Sequence, residues 1–234
     1  MSEMNDIIYG VHPVAEALRN PSRKIYSLKA SKNAADRLAE DIAARGITPE
    51  IVHPRDLDKR LGAEAVHQGL LMEAKALSQP RLDEIEKSGI VVLLDQVTDP
   101  HNVGAILRTC AAFNVTALVA TARHSPEASA VLFKSASGAY EHVPFVKVTN
   151  LSRAMAELKD YGFRIAGLDS EAPELISGID RSPPIAIVLG AEGKGLRQLT
   201  RDSCDHLVRL DMNGPIKSLN VSNACAVALY ALTR

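Results

Sequence analysis

The stretch Ile90-Val-Val-Leu-Leu-Asp95-Gln-Val-Thr-Asp-Pro-His-Asn-Val-Gly104 decides the fold. Its first five residues are continuously apolar, as expected of a strand covered on both faces in a parallel sheet. A polar loop follows, and then Val103, Ile106, Leu107, Cys110 and Phe113 recur at helical spacing. Asn102 stands where a capping residue would start that helix. Strand, loop and amphipathic helix in this order form the beginning of a βαβ unit. The same rhythm runs to the end of the chain, with strands expected at 117–120, 143–148, 164–167, 185–189 and 207–210. Between them a helix is predicted over 151–161, capped by Asn150 and stopped by Gly162. The final helix, 219–232, is apolar on more than one face, through Val221, Cys225 and Leu229 but also Val227 and Tyr230. Such a helix is buried in the core or against another chain.

Working back towards the N-terminus, a smaller α/β unit precedes this region. Strands are expected at 6–9, 25–29, 50–52 and 69–74, and helices at 13–18, 33–45 and 55–61. Pro80 and alternating charges mark a linker. The expected division is residues 1–78, a linker at 79–88, and residues 89–234. The fold class is therefore α/β, a mostly parallel sheet preceded by a small α/β domain.

Composition narrows the function classes. At 46% hydrophobic and 24% charged residues the chain is an ordinary globular one. Its apolar runs are far shorter than the roughly 20 residues of a membrane span. The polar, acidic first residues do not resemble a secretion signal. Three cysteines without a CxxC pair read as reduced core residues, which points to the cytoplasm and away from a disulfide frame or zinc site. The net charge of −1 argues mildly against a protein that coats nucleic acid indiscriminately.

Open parallel sheets bind ligands beyond the carboxyl ends of their strands, and three loops there carry unusual chemistry. The first, 95–104, leads into a helix bearing Arg108, which shares a face with Gly104 and Ala112 and is expected to lie uncovered. Its plainer reading is a solvated arginine. The second, Leu189-Gly-Ala-Glu-Gly-Lys-Gly195, is rich in glycine but has neither dinucleotide-binding nor phosphate-loop spacing. Glu192 is either a turn residue or a carboxylate that anchors the loop. At Gly190 a β-carbon is expected to intrude on a ligand or forbid the backbone angle. The third, Met212-Asn-Gly-Pro-Ile-Lys-Ser-Leu-Asn-Val-Ser222, places Ser218 as a candidate helix cap. It also puts Asn220 and Asn223 where good helix formers would be expected.

At these three loops the sequence closely resembles the SpoU family of RNA ribose methyltransferases. The match runs through Asn102-Val-Gly-Ala-Ile-Leu-Arg-Thr109, Leu189-Gly-Ala-Glu-Gly-Lys-Gly-Leu196 and Ser218-Leu-Asn-Val-Ser-Asn-Ala224, in order and at the family's spacing. Lys134-Ser-Ala-Ser-Gly-Ala139 resembles a further family segment. Tyr9-Gly-Val-His-Pro-Val-Ala-Glu-Ala-Leu18 and His67-Gln-Gly69 resemble its N-terminal RNA-binding domain, which is like ribosomal protein L30e. The resemblance implies a trefoil-knotted catalytic domain, a homodimer and S-adenosylmethionine as methyl donor. It places the donor around Gly190, Leu210 and Leu219, and puts Asn102, Arg108, Glu192, Ser218 and Asn220 on the reacting side. Lys217 departs from the residue common before the third motif.

The implied reaction is an in-line displacement at a sulfonium methyl by a ribose 2′-hydroxyl. A guanidinium keeps its proton up to about pH 12, so Arg108 is expected to clamp the phosphate and 2′-oxygen, leaving a phosphate or water to take the proton. His101 would be the conventional base, although it reads more simply as a surface histidine. No metal is expected. The L30e-like domain favours ribosomal RNA, in the subgroup that methylates a 23S guanosine. A tRNA methyltransferase of the same family, a noncatalytic RNA-binding protein and a flavodoxin-like nucleotide-binding domain are the alternatives. The fragment from about residue 80 is expected to bind donor and dimerise without the N-terminal domain, whose residues 9–12 and 67–69 are expected to touch RNA.

Overall fold

A computed structural model describes residues 5–215 and 218–234. The N-terminal unit runs β1 (Asn5–Tyr9), α1 (Val11–Arg19), β2 (Ile25–Ala30), α2 (Lys32–Arg37), α3 (Ala39–Arg45), β3 (Glu50–Ile51), α4 (Pro54–Leu61) and β4 (Leu70–Lys75). Its sheet has the order β1-β4-β2-β3, with β4 antiparallel to both its neighbours and β3 parallel to β2. The single helix expected over 33–45 is two, because the backbone at Leu38 leaves helical angles (φ −109°, ψ 19°). Leu38 and Ile42 are nevertheless both buried, so the apolar stripe that predicted the helix is preserved across the break.

The remainder runs β5 (Ile90–Asp95), α5 (Pro100–Ala112), β6 (Ala117–Thr121), α6 (Ala130–Ala136), β7 (Phe145–Val148), α7 (Leu151–Asp160), β8 (Arg164–Leu168), β9 (Glu174–Leu175), β10 (Ile185–Gly190), α8 (Gln198–Asp202), β11 (His206–Arg209) and α9 (Val221–Leu232). Its seven-stranded sheet has the order β7-β6-β5-β10-β8-β11-β9, and every recorded pairing is parallel. All of β5 is buried, because both faces of the sheet are covered. Ile90, Val92 and Leu94 point into the core with α5 and α9, whereas Val91 and Leu93 pack with Leu151, Met155 and Leu158 of α7. β10 repeats this division, with Ile185, Ile187 and Leu189 on the first side and Ala186 and Val188 on the second.

Two helix starts differ from expectation. Asp99 caps α5, its side chain accepting from His101 N at 3.0 Å, with Pro100 in the first turn. Asn102 is thus inside the helix. Asn220 caps α9, its Oδ1 accepting from Ser222 N at 3.0 Å, so Ser218 is not the cap.

The stretch read as a linker is packed. Leu82 and Ile85 are buried, and Gln79 Oε1 accepts from Phe145 N at 2.8 Å. One hydrophobic core runs from Ile8, Leu28, Leu70 and Met72 of the first sheet through Phe133, Tyr140 and Phe145 to the parallel sheet. Among the described residues no helix is long and apolar enough to cross a membrane.

Candidate active site

Gly190 ends β10 in register with Asp95 at the end of β5, so the first two loops leave the sheet side by side. They are tied together by Asp95, which is fully buried and accepts from Arg197 N at 2.9 Å and from Arg197 Nε at 2.7 Å. The glycine loop closes on itself through Gly195 N, which donates to Ala191 O at 2.8 Å. That closure changes the reason Gly190 must be glycine. A β-carbon there would collide with the backbone at Gly195 and come within 2.5 Å of Leu196 N. The φ at Gly190 is not in the left-handed region, so neither a ligand nor a backbone angle is needed to exclude a side chain.

Beyond the ends of β8, β10 and β11 lies an open pocket of about 200 Å³. Leu189, Leu210, Leu219, Val221 and Ala224 give it apolar walls, while Gly190 to Gly193 offer peptide edges and Glu192 and Ser218 polar groups. Leu168, Asp169 and Ser170 also line it. They were missed in the sequence, although the rule that ligands gather at strand ends applies to β8 as well as to β5 and β10. The Asp169 carboxylate is held by an ion pair with Arg201 and by Glu171 N at 2.8 Å.

The three loops meet beside this pocket. Asn220 Nδ2 donates to Asn102 Oδ1 at 3.0 Å and also to Glu192 Oε1. The same carboxylate oxygen accepts from Val221 N at 3.3 Å. Glu192 is therefore a loop anchor, its negative charge set against the first N–H of α9 and the positive end of the helix dipole. Asn220 forms the joint between the first and third loops.

Arg108 is not brought into this joint. It is exposed and has no hydrogen bond or ion pair to any described residue. Helix geometry puts it about 9 Å along α5 from Asn102 and about 120° round the axis. Arg108 is uncovered as expected, but Gly104 is not the cause, because that residue is buried beneath α6. A β-carbon on Gly104 would lie 2.5 Å from Ser135 Cβ and 2.8 Å from Leu132 O. His101 is exposed and bonds Ser135 Oγ through Nδ1 at 3.2 Å.

Cys110 of α5 and Cys225 of α9 are free and fully buried behind the joint, and Cys204 is free as well. A hydrogen bond with Cys225, together with burial, pushes the Cys110 thiol well above the usual range. Burial pushes Cys204 up to about 12. Raised in this way, the Cys110 and Cys204 thiols are poor sources of thiolate. Among the described residues no group of three His, Cys, Asp or Glu side chains could hold a metal.

Fold and site together define a parallel α/β protein with a small-molecule pocket at the carboxyl ends of its central strands. The profile of the SpoU rRNA Methylase family matches residues 89–230, and that of the RNA 2′-O ribose methyltransferase substrate binding family matches residues 7–80. The chain belongs to the SpoU rRNA methylase family. It is 37% identical over 242 residues to the 23S rRNA (guanosine-2′-O-)-methyltransferase RlmB of Haemophilus influenzae, covering 99% of this chain and 98% of that one. It is 33% identical to the putative TrmH family tRNA/rRNA methyltransferase YacO of Bacillus subtilis, covering 100% and 97%. The crystal structure of the SpoU methyltransferase AviRb from Streptomyces viridochromogenes, in complex with the cofactor AdoMet, has the same fold. Its TM-score is 0.81 at 23% identity, over 97% of this chain and 89% of that one.

Proposed function

We propose that the protein transfers a methyl group from S-adenosylmethionine to a ribose 2′-hydroxyl of RNA, a guanosine of 23S ribosomal RNA. The observation that carries this reading is the joint of Asn102, Glu192 and Asn220 beside the pocket. The pocket fits the donor: apolar walls suit a purine, peptide edges suit its polar rim, and a carboxylate lining suits a cationic sulfonium. Gly190, Leu210 and Leu219 would hold it there, and once bound it would supply an electrophilic methyl group. Glu192 and Asn220 keep the pocket rim fixed, and Ser218, released from capping α9, faces the same space. Arg108 acts as a fixed cation that clamps the phosphate and 2′-oxygen of the target nucleotide. Pre-orienting the two substrates is the main demand of such a displacement, since the leaving group is already good.

Residues 1–78 act as the RNA substrate-binding domain and 89–234 as the methyltransferase domain, with 79–88 joining them. The profile matches at 7–80 and 89–230 support this division. A trefoil knot in the second domain is supported by β10, which fills the place between β5 and β8, and by α9, which returns to pack on α5. A homodimer is supported by the outer face of α9, where Val227 is 46% and Tyr230 54% exposed. A cytoplasmic place of action is supported by the ribosomal substrate and the free cysteines.

The test is incubation of the purified protein with labelled donor and either 23S ribosomal RNA or bulk tRNA, followed by mapping of 2′-O-methyl positions. Methylation of a single ribosomal guanosine is expected. Methylation of tRNA alone would move the protein to the tRNA branch of the family. Donor binding without transfer to either RNA would leave an RNA-binding protein.

A further inference from the structure

The N-terminal unit meets the parallel sheet through a polar lock whose second half lies within residues 133–145. Arg23 is 0% exposed. Its guanidinium bonds Asp6 of its own sheet at 2.5 Å and Glu141, across the junction, at 2.6 Å. It also donates to Lys75 O at 2.9 Å, and Asn20 Nδ2 donates to Glu141 at 2.7 Å. At the rim, Gln68 Oε1 accepts from Lys134 Nζ at 2.8 Å and from Val11 N at 3.0 Å, and His142 pairs with Glu16 at 2.8 Å. Two glycines in the left-handed region permit the approach, one from each side. A β-carbon on Gly138 (φ 95°) would lie 2.8 Å from Glu16 Cβ, and one on Gly10 (φ 91°) 3.1 Å from Lys134 Cδ.

These contacts take up part of the segments expected to touch RNA, while His12 and Gln68 remain exposed. His67 is buried and holds its own turn, bonding Asp58 at 2.9 Å and accepting from Gly69 N at 3.0 Å. Gln68 faces Lys134, and Tyr9 is buried. The catalytic half of the lock, in turn, is bound to the helix that carries Asn102 and Arg108. α6 crosses α5 at Gly104, and Ser135 bonds His101 at 3.2 Å.

We propose that Arg23 and Glu141 are positioning residues: they fix the N-terminal unit to the turn at Ala139–Glu141, which follows α6, so that the ribose presented at Arg108 is chosen by a fixed distance along the bound RNA. This rests on the methyl-transfer reading above. A loosely tethered RNA-binding unit would raise the local concentration of RNA without selecting a register. Such a tether would not require a buried cation, which is tolerated in an interior only when it is fully paired.

The test uses the full-length protein with Glu141→Gln, and with Gln68→Ala at the more exposed rim. Steady-state kinetics on a ribosomal RNA fragment, mapping of the methylated riboses, calorimetric donor binding and thermal melts are read together. For Glu141→Gln, a raised KM for RNA and unchanged donor affinity are expected. Methylation at the wild-type nucleotide should fall on the order of 10²-fold, and methyl groups should appear on neighbouring riboses. A smaller change in the same direction is expected for Gln68→Ala, which decides the matter if Glu141→Gln does not fold. A purely structural lock would reduce the active fraction while leaving KM and the methylated position alone. Folded variants with wild-type KM and site choice would overturn the proposal. A wild-type protein that methylates no RNA would overturn the methyl-transfer reading instead.

Discussion

The two sheets of this molecule follow opposite rules. In the seven-stranded sheet the pairings are parallel and β5 is buried throughout, so its loops collect at one end and supply a pocket. In the four-stranded sheet antiparallel pairs turn the chain back on itself, and Asp6 of its first strand is held through Arg23 to Glu141 at the junction with the other domain. One sheet concentrates loops where chemistry can occur, and the other offers a shaped body held at a fixed place. The comparison teaches that the two are unequal partners in one core, and not independent beads on a linker.

Removing residues 1–79 is the severest way to challenge this. The sequence suggests a self-contained fragment from about residue 80. The structure instead predicts that truncation uncovers Phe133, Tyr140 and the buried Glu141. Loss of a buried ion-pair partner alone costs about 3–5 kcal/mol, a large part of a typical total of about 5–15 kcal/mol. The fragment should aggregate or melt far below the full chain in circular dichroism. A soluble fragment that binds donor normally would restore the picture of two independent beads.

Arg108→Ala tests whether chemistry is confined to the parallel sheet. Methyl transfer should fall on the order of 10²–10³-fold, as when a positioned charge-stabilising donor is removed. Donor affinity, which the proposed site draws from the other loops, should hold in calorimetry. Parallel loss of both would show that Arg108 belongs to the donor pocket.

Gly190→Val sharpens the description of that pocket. Its side chain would force the loop closed by Ala191 and Gly195 apart, at about 1–3 kcal/mol for overpacking. A lower melting temperature should accompany weaker donor binding. Normal stability with lost binding would mean that the collision is with the ligand after all.

The smallest effect lies at the junction itself. Burial, reinforced by the charge of Asp6, pushes the Tyr140 phenol up to about 12 from 10. A folded pKa raised above the unfolded one gives stability that is fully present below pH 10 and lost as pH rises through 12. Tyr140→Phe should remove that alkaline dependence, read from denaturation midpoints between those values. An unchanged slope would mean that the phenol is solvated and the junction looser than described.

Much of the parallel domain was legible because its rules are local. A continuous apolar run at 90–94 and a helical stripe from Val103 need no tertiary knowledge. The cap of α5 was misplaced by three residues because Asp99-Pro100 is as good a start as Asn102, and both lie in one polar loop. The glycine loop was located, but the cause of the constraint at Gly190 was not, since it arises from contact with residues 195 and 196. Leu168 to Ser170 carry no signal in the sequence, since nothing in their composition is unusual; only the sheet order places them at the pocket. The junction was the least legible part. Arg23 and Glu141 are 118 residues apart, and each alone looks like a surface charge.

The place of β10 between β5 and β8 has a consequence during synthesis. β5 pairs with β6 as soon as both have emerged, yet its other edge has no neighbour until residue 185 and those after it leave the ribosome. At ordinary rates of chain elongation that interval is on the order of 5–20 s. Throughout it an apolar strand edge stands open to any passing extended segment. Nascent chains stalled between residues 95 and 185 should therefore be bound by holding chaperones, and release should follow when the central strand fills the gap.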